Sequence, residues 1–338
     1  MKYAMFLPGS DGPAMAGWAR RIEDAGFDSL WQGELVNSSI IPLAAVSHAV
    51  SRIKLASGIA LAFTRSPVML AFCALDMDLL TGGRFILGLG VGSTARNNQW
   101  YAGRDAGRPV SQMREYIEVA RLAMQAAQEG GPFSFDGEFY TVDARNMLRR
   151  PSAQPRPLVP IYVAAVRSRM ASLVGEMADG LVGSPLFSPR YLREFILPAV
   201  GEGLKKSART RDQVEVLGQC VTIIEDDLAI AYRVARGTML FQIWARIYDS
   251  IFEFHGFGDV VARVRAIQKG EAKGDPSDEI SEEMVDAFCA VGPLERVRET
   301  VAEREGLLDT VILTVPFTGT TPQQQDQYRD RILKAFSQ

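Results

Sequence analysis

A chain of 338 residues, 47% hydrophobic and 23% charged, has room for one α/β barrel or two smaller domains and is not the composition of a disordered polymer. Its 37 basic residues stand against 40 acidic ones, and a formal charge of −3 excludes the broad basic surface that nucleic-acid or anionic-membrane binding needs. Three scattered cysteines (Cys73, Cys220, Cys289) and two histidines (His48, His255) supply no CxxC pair, disulfide framework or histidine-rich metal site, so a reduced, cytoplasmic setting without a metal is expected.

The first predicted strand is Tyr3–Leu7, followed by turn residues Pro8 to Asp11 and a helix from about Pro13 to Ala25 that Gly26 ends. Phe27–Trp31 reads as strand two, Ile40–Val50 as a helix and Lys54–Ala60 as strand three. Ser66 caps and Pro67 opens a helix that runs to Leu80 and stops at Thr81-Gly82-Gly83, before strand four at Phe85–Gly90. A long excursion holds a helix over Val110–Gln128 and a hairpin over Phe133–Tyr140, turning at Asp136-Gly137. The proline-rich piece Pro151–Pro160 leads into strand five, Ile161–Ala165, and a helix over Arg169–Ala178. Strand six centres on Leu181 and Val182, Ser188-Pro189 opens a helix, and Val214–Ile224 is strand seven. Helices fill most of Asp227–Gly306, interrupted by the polar loop Lys269–Asp278, Thr310–Val315 is strand eight, and a helix ends the chain.

Eight strands, nearly all separated by helices, point to a (β/α)8 barrel, one domain over residues 1–338 with its largest insertions after strands four and seven. A doubly wound sheet is the alternative. The N-terminal apolar run is too short for a signal peptide, and no stretch approaches the ~20 apolar residues of a bilayer span.

A barrel of this kind carries its site at the C-terminal ends of its strands. Those ends hold few ionisable groups: Glu34, Arg96, Arg167 and Arg169. They offer no Ser/His/Asp set, no paired acid and base and no metal cluster, which suggests that a bound cofactor supplies the chemistry. Gly88-Leu89-Gly90-Val91-Gly92-Ser93 lets the backbone approach a ring or phosphate, or is simply a tight strand exit; its GxGxG spacing is not the dinucleotide fingerprint. Ala164-Ala165-Val166-Arg167-Ser168-Arg169 opens a helix whose N–H groups and arginines suit a phosphate, the plainer reading being solvated arginines and a capping serine. Gly58 marks a bulge or a close ligand at the end of strand three. Glu34 ends strand two at the barrel mouth or on its rim. His255 sits among Phe252, Phe254 and Phe257, as a pocket residue or a structural histidine; His48 receives no role.

These segments resemble the luciferase-like flavin- and deazaflavin-dependent oxidoreductases. The resemblance rests on Arg52-Ile53-Lys54-Leu55-Ala56-Ser57-Gly58-Ile59, Thr64-Arg65-Ser66-Pro67 and the run from Leu79 to Ser93. It continues in order through Met113-Arg114-Glu115-Tyr116, Phe135 to Tyr140, Pro160 to Ala165, Gly175 to Gly180 and Ala290-Val291-Gly292-Pro293. Pro189 to Glu194 and His255-Gly256-Phe257-Gly258 are most similar to the actinobacterial-type branch that uses coenzyme F420, an 8-hydroxy-5-deazaflavin. The family likeness implies a ring site formed by Glu34, Gly58, Ile59, Gly92 and Ser93, and a phosphate site formed by Ala164, Ala165, Val166, Arg167, Ser168 and Arg169. It adds Gly183 and Ser184 to the cofactor set and a cis peptide at Gly58–Ile59. Family members carry an acidic residue and then a histidine after strand two; here Glu34 is followed by Leu35.

The expectation is therefore hydride transfer between F420 and a small organic substrate, with Glu34 and His255 as the candidate catalytic residues. An FMN-dependent monooxygenase using oxygen is the alternative, and a barrel that has lost its cofactor is a third reading. The resemblance also implies a homodimer.

Overall fold

The computed structural model describes residues 1–338 apart from 10, 36, 102–106, 147, 151 and 152. In chain order its strands are β1 (Lys2–Phe6), β2 (Ser29–Gln32), β3 (Lys54–Ser57), β4 (Ala60–Leu61), β5 (Phe85–Gly90) and β6 (Phe133–Asp136). They continue with β7 (Thr141–Ala144), β8 (Ile161–Ala164), β9 (Gly180–Val182), β10 (Glu215–Ile224), β11 (Cys289–Gly292) and β12 (Thr310–Thr314). β6 and β7 pair as a separate antiparallel hairpin, whereas the other pairings are parallel. The fold is a (β/α)8 barrel built on β1, β2, β3, β5, β8, β9, β10 and β12.

Contacts group the residues into two compact units. In the unit Met5–Val182 with Ala199–Glu215, the order β2-β3-β5-β8-β9 is set by pairs such as Leu30↔Leu55, Leu55↔Phe85, Leu87↔Ile161 and Val163↔Leu181. β5 is buried along its whole length, which is why it reads as a continuous apolar run and does not alternate. Helix Gly12–Asp24 starts where Asp11 accepts the Ala14 N–H at 2.8 Å. Its last turn delivers Glu23, whose Oε1 accepts the backbone N–H groups of Ser51, Arg52 and Ile53 at 2.6–2.9 Å, just before β3. Helix Pro67–Thr81 is capped by Ser66 and closed by Gly82 in the left-handed conformation, as its punctuation predicts.

The unit Met1–Ala4, Gly183–Pro198 and Val216–Gln338 orders its strands β11-β10-β12-β1. Leu217 and Lys2 both pair with Thr310, and Val221 pairs with Cys289. Helices Leu228–Trp244, Gly258–Gln268, Glu282–Phe288 and Pro322–Phe336 belong to the same unit. Among the described residues no helix is long and apolar enough to cross a membrane, and no group of three or more His, Cys, Asp or Glu could hold a metal ion.

Several predicted elements are corrected. Strand three is not one run over Lys54–Ala60: it breaks at a cis Gly58–Ile59 peptide into β3 and β4. The helix read over Ile40–Val50 spans only Ile41–Val46. The second hairpin strand is Thr141–Ala144, beyond the predicted end at Tyr140. Thr94–Trp100 is a helix that polar composition concealed. Cys289–Gly292, read as part of a helical stretch, is β11; four apolar residues carry no decisive period, and only pairing with β10 makes them a strand. Of the proline-rich piece, Pro151 and Ser152 lie outside the described residues.

Candidate active site

Two glycine-bearing strand exits stand side by side at β3 and β5. The Ser57 hydroxyl donates to Gly88 O and accepts from Gly88 N–H, both at 2.9 Å, which ties the strands together. A Cβ on Gly88 would lie 2.0 Å from Ser57 O, so only glycine allows this approach. Gly58 donates its N–H to Gln32 O at 2.7 Å, and a Cβ there would meet Trp31 at 2.9 Å. Gly90 leaves room for the Ile59 side chain, which a Cβ would contact at 2.4 Å.

Glu34 lies beyond β2 with its side chain 8% exposed. Its Oε2 accepts Leu61 N–H at 2.9 Å, Ser39 Oγ at 3.3 Å and Arg65 Nη1 at 2.8 Å, and its Oε1 takes the second arm of the same guanidinium. The bond to Glu34 raises the Arg65 pKa above its ordinary value against the opposing effect of burial. Glu34 is thus the anion that holds β4 and the Thr64-Arg65 turn in place. Arg65 appeared in the sequence only as part of a motif. Its bidentate role was missed because the partner is 31 residues away.

After β5 the chain turns through Gly92 at φ 71° into helix Thr94–Trp100, for which exposed Ser93 is the N-cap residue. Asn97 is fully buried: its amide donates to Val91 O at 2.6 Å, while its Oδ1 has no partner among the described residues. A Cβ on Gly92 would stand 3.0 Å from that oxygen. Arg96 covers the Trp100 ring at 5.0 Å. Residues 102–106, which follow this helix, lie outside the described residues.

β8 leads through half-buried Ala164, buried Ala165 and half-buried Val166 to helix Ser168–Met177. Arg167 is its extended N-cap residue and makes no side-chain cap bond. The first helical N–H groups therefore have no intrahelical partner. Arg167, Ser168 and Arg169 are exposed, and neither guanidinium makes an ion pair or hydrogen bond among the described residues.

The remaining candidates lie in the other unit, each engaged by near neighbours. Gly183 donates to Leu217 O at 2.7 Å, and its carbonyl accepts Gln219 Nε2 at 3.1 Å. Buried Ser184 accepts the Leu186 N–H at 3.0 Å. His255 Nε2 is 3.0 Å from Ser188 Oγ, with the rings of Phe254 and Phe288 edge-on at 5.1 and 4.9 Å. Ser188 Oγ also accepts the Tyr191 N–H at 2.9 Å, so one hydroxyl joins the imidazole to the start of the helical segment at Pro189. Burial, and then the charge of Arg190, lower the His255 pKa below its usual 6.5.

The luciferase-like monooxygenase family matches residues 6–310. The uncharacterised protein Rv1360 of Mycobacterium tuberculosis is 33% identical over 300 residues, 86% of each chain. The 5,10-methylenetetrahydromethanopterin reductase of Methanopyrus kandleri is 27% identical over 326 residues, 90% of each. A solved coenzyme F420-dependent tetrahydromethanopterin reductase from that organism superimposes with TM-score 0.79 at 21% identity, covering 99% of this chain and 97% of that one. A type II Baeyer–Villiger monooxygenase of Pseudomonas putida, solved with FMN, gives 0.70 at 18% identity, with 100% and 97% covered. The chain belongs to the luciferase-like monooxygenase family.

Proposed function

We propose that this protein is an F420-dependent oxidoreductase that moves a hydride between the deazaflavin and an organic substrate. The observation that carries the reading is the helix start after β8, uncapped by any side chain and flanked by Arg167 and Arg169, which make no ion pair among the described residues, in the same unit as the glycine-bearing exits of β3 and β5. Relatives named as F420-dependent, an oxidoreductase and a glucose-6-phosphate dehydrogenase, support it from sequence.

The residues fit such a group on two counts. Gly58 and Ile59 are half-buried and Gly92 and Ser93 exposed, so these strand exits keep accessible surface for a flat ring. The open N–H groups of Ser168, Arg169 and Met170, with Arg167 and Arg169, provide directed donors, a helix-dipole end and charge for a phosphate. When bound, the deazaflavin supplies a carbon hydride donor or acceptor that reacts poorly with oxygen. Glu34 acts as a positioning anion, holding Leu61 and Arg65 so that β4 keeps its place behind the cis peptide. Neutral His255 holds the start of the helical segment at Pro189 through Ser188.

Side-by-side titration with F420 and FMN, followed by oxygen uptake during turnover, tests the reading. F420 should bind tightly and turnover should consume no oxygen. Tight FMN binding with oxygen-dependent turnover, and no affinity for F420, would overturn it in favour of the monooxygenase chemistry of the FMN-containing neighbour.

A further inference from the structure

A cavity of about 470 Å³ opens between helix Leu228–Trp244, helix Pro322–Phe336 and the loop after β12, wholly within the unit that contains β10 and β12. That volume suits a small metabolite. Its one carboxylate, Glu225, is already committed to Arg331, whose Nη1 donates to Glu225 Oε2 at 2.8 Å and to Ile224 O at 2.7 Å. The rest of the polar lining consists largely of donors. Arg233 is exposed and makes no hydrogen bond or ion pair among the described residues. Gln324 spends its Oε1 on the Thr321 N–H at 2.9 Å, so its amide N–H groups remain to donate. Gln327 contributes a further amide.

Gly237 is an independent sign that the space is kept open. It sits inside a 17-residue helix, where glycine is the poorer helix former. Packing does not require it, since a Cβ there would meet only Thr318 O, at an ordinary 3.4 Å. What its missing side chain preserves is the cavity wall.

We propose that this cavity binds a small anionic molecule through a carboxylate or phosphate group, with Arg233 as the bidentate cation and the Gln324 and Gln327 amides as flanking donors. The cavity shares no residue with the proposed F420 contacts, so its occupancy does not depend on that reading.

Calorimetric titration of the full-length protein with citrate and with inorganic phosphate, at constant ionic strength, tests it. The Arg167→Ala/Arg169→Ala background removes anion binding at the helix start after β8. Saturable binding of one probe is expected, and which probe binds separates a carboxylate site from a phosphate site. Arg233→Ala should weaken it about ten-fold or more. Gly237→Leu should abolish it by filling the cavity, with circular dichroism confirming the fold; Gln327→Ala, which leaves the helix intact, should weaken it as well. Three results would overturn the proposal: no saturable binding of either probe up to about 10 mM, equal affinity in Arg233→Ala, or the same heat and stabilisation from chloride at matched ionic strength.

Discussion

Glu34 accepts hydrogen bonds from Ser39, Leu61 and both arms of Arg65, and its side chain is nearly out of solvent. Glu34→Ala should leave the guanidinium and the Leu61 N–H without their acceptor. We expect a loss of about 2–4 kcal/mol, below the full cost of breaking a buried pair because Arg65 remains one-third exposed; urea unfolding measures it. A loss under 0.5 kcal/mol, the range of ordinary surface substitutions, would sink the assignment of Glu34 as an anchor. Glu23 and His255 predict how stability responds to acid. Both have folded pKa values below their ordinary ones, so in each case the unfolded chain binds the proton more readily and stability falls with pH. For His255 the stabilisation is complete above about 6.5 and is lost as pH falls through the lower folded value. For Glu23, burial raises the pKa but the N–H groups of Ile53, Arg52 and Ser51 outweigh it, and the loss begins only below about 4.5. His255→Asn should flatten the upper part of a plot of Tm against pH, and Glu23→Gln the lower part. Parallel wild-type and variant curves would remove these groups from the account. The position of Glu34 at a strand end was legible from the chain order of strands. Its partners were not, because they come from a turn that only folding brings near.

Between helices, glycine spacing decides how closely two backbones meet. In helix Ser168–Met177 a Cβ on Gly175 would lie 2.2 Å from Val200 O, and in helix Leu197–Lys206 a Cβ on Gly203 would lie 1.9 Å from Ser172 O. Gly201, in the second of these helices, has nothing within 4 Å of its virtual Cβ. The same substitution should therefore have opposite signs two residues apart. Gly203→Ala should cost about 3 kcal/mol through forced backbone separation. Gly201→Ala should stabilise by about 0.5–1 kcal/mol through helix propensity and a less flexible unfolded chain. Thermal melts of the two variants check this, and equal midpoints would contradict the close crossing. Caps and stops such as Ser66, Pro67 and Gly82 were legible because they act on their own helix. β11 was not, because a four-residue run becomes a strand only through the partner that satisfies its backbone.

For the whole molecule, the proposed phosphate contact makes the cofactor reading open to a charge test. Arg167→Ala/Arg169→Ala should reduce F420 affinity about ten-fold or more and flatten its salt dependence, with the melting temperature unchanged because both side chains are exposed. Unchanged affinity would move the phosphate elsewhere. The strand-helix alternation, the helix caps and the scarcity of ionisable groups at strand ends were determined by the sequence alone, because period, punctuation and composition are local properties. The ordered motifs pointed to the family for the same reason. Only the tertiary structure decided that Glu34 is engaged by Arg65, that His255 answers to Ser188, and that Arg233 and Gln324 border one cavity. Each of these joins residues from different elements, and their charge, burial and hydrogen bonding have no value until strand pairing and helix packing bring those elements into contact.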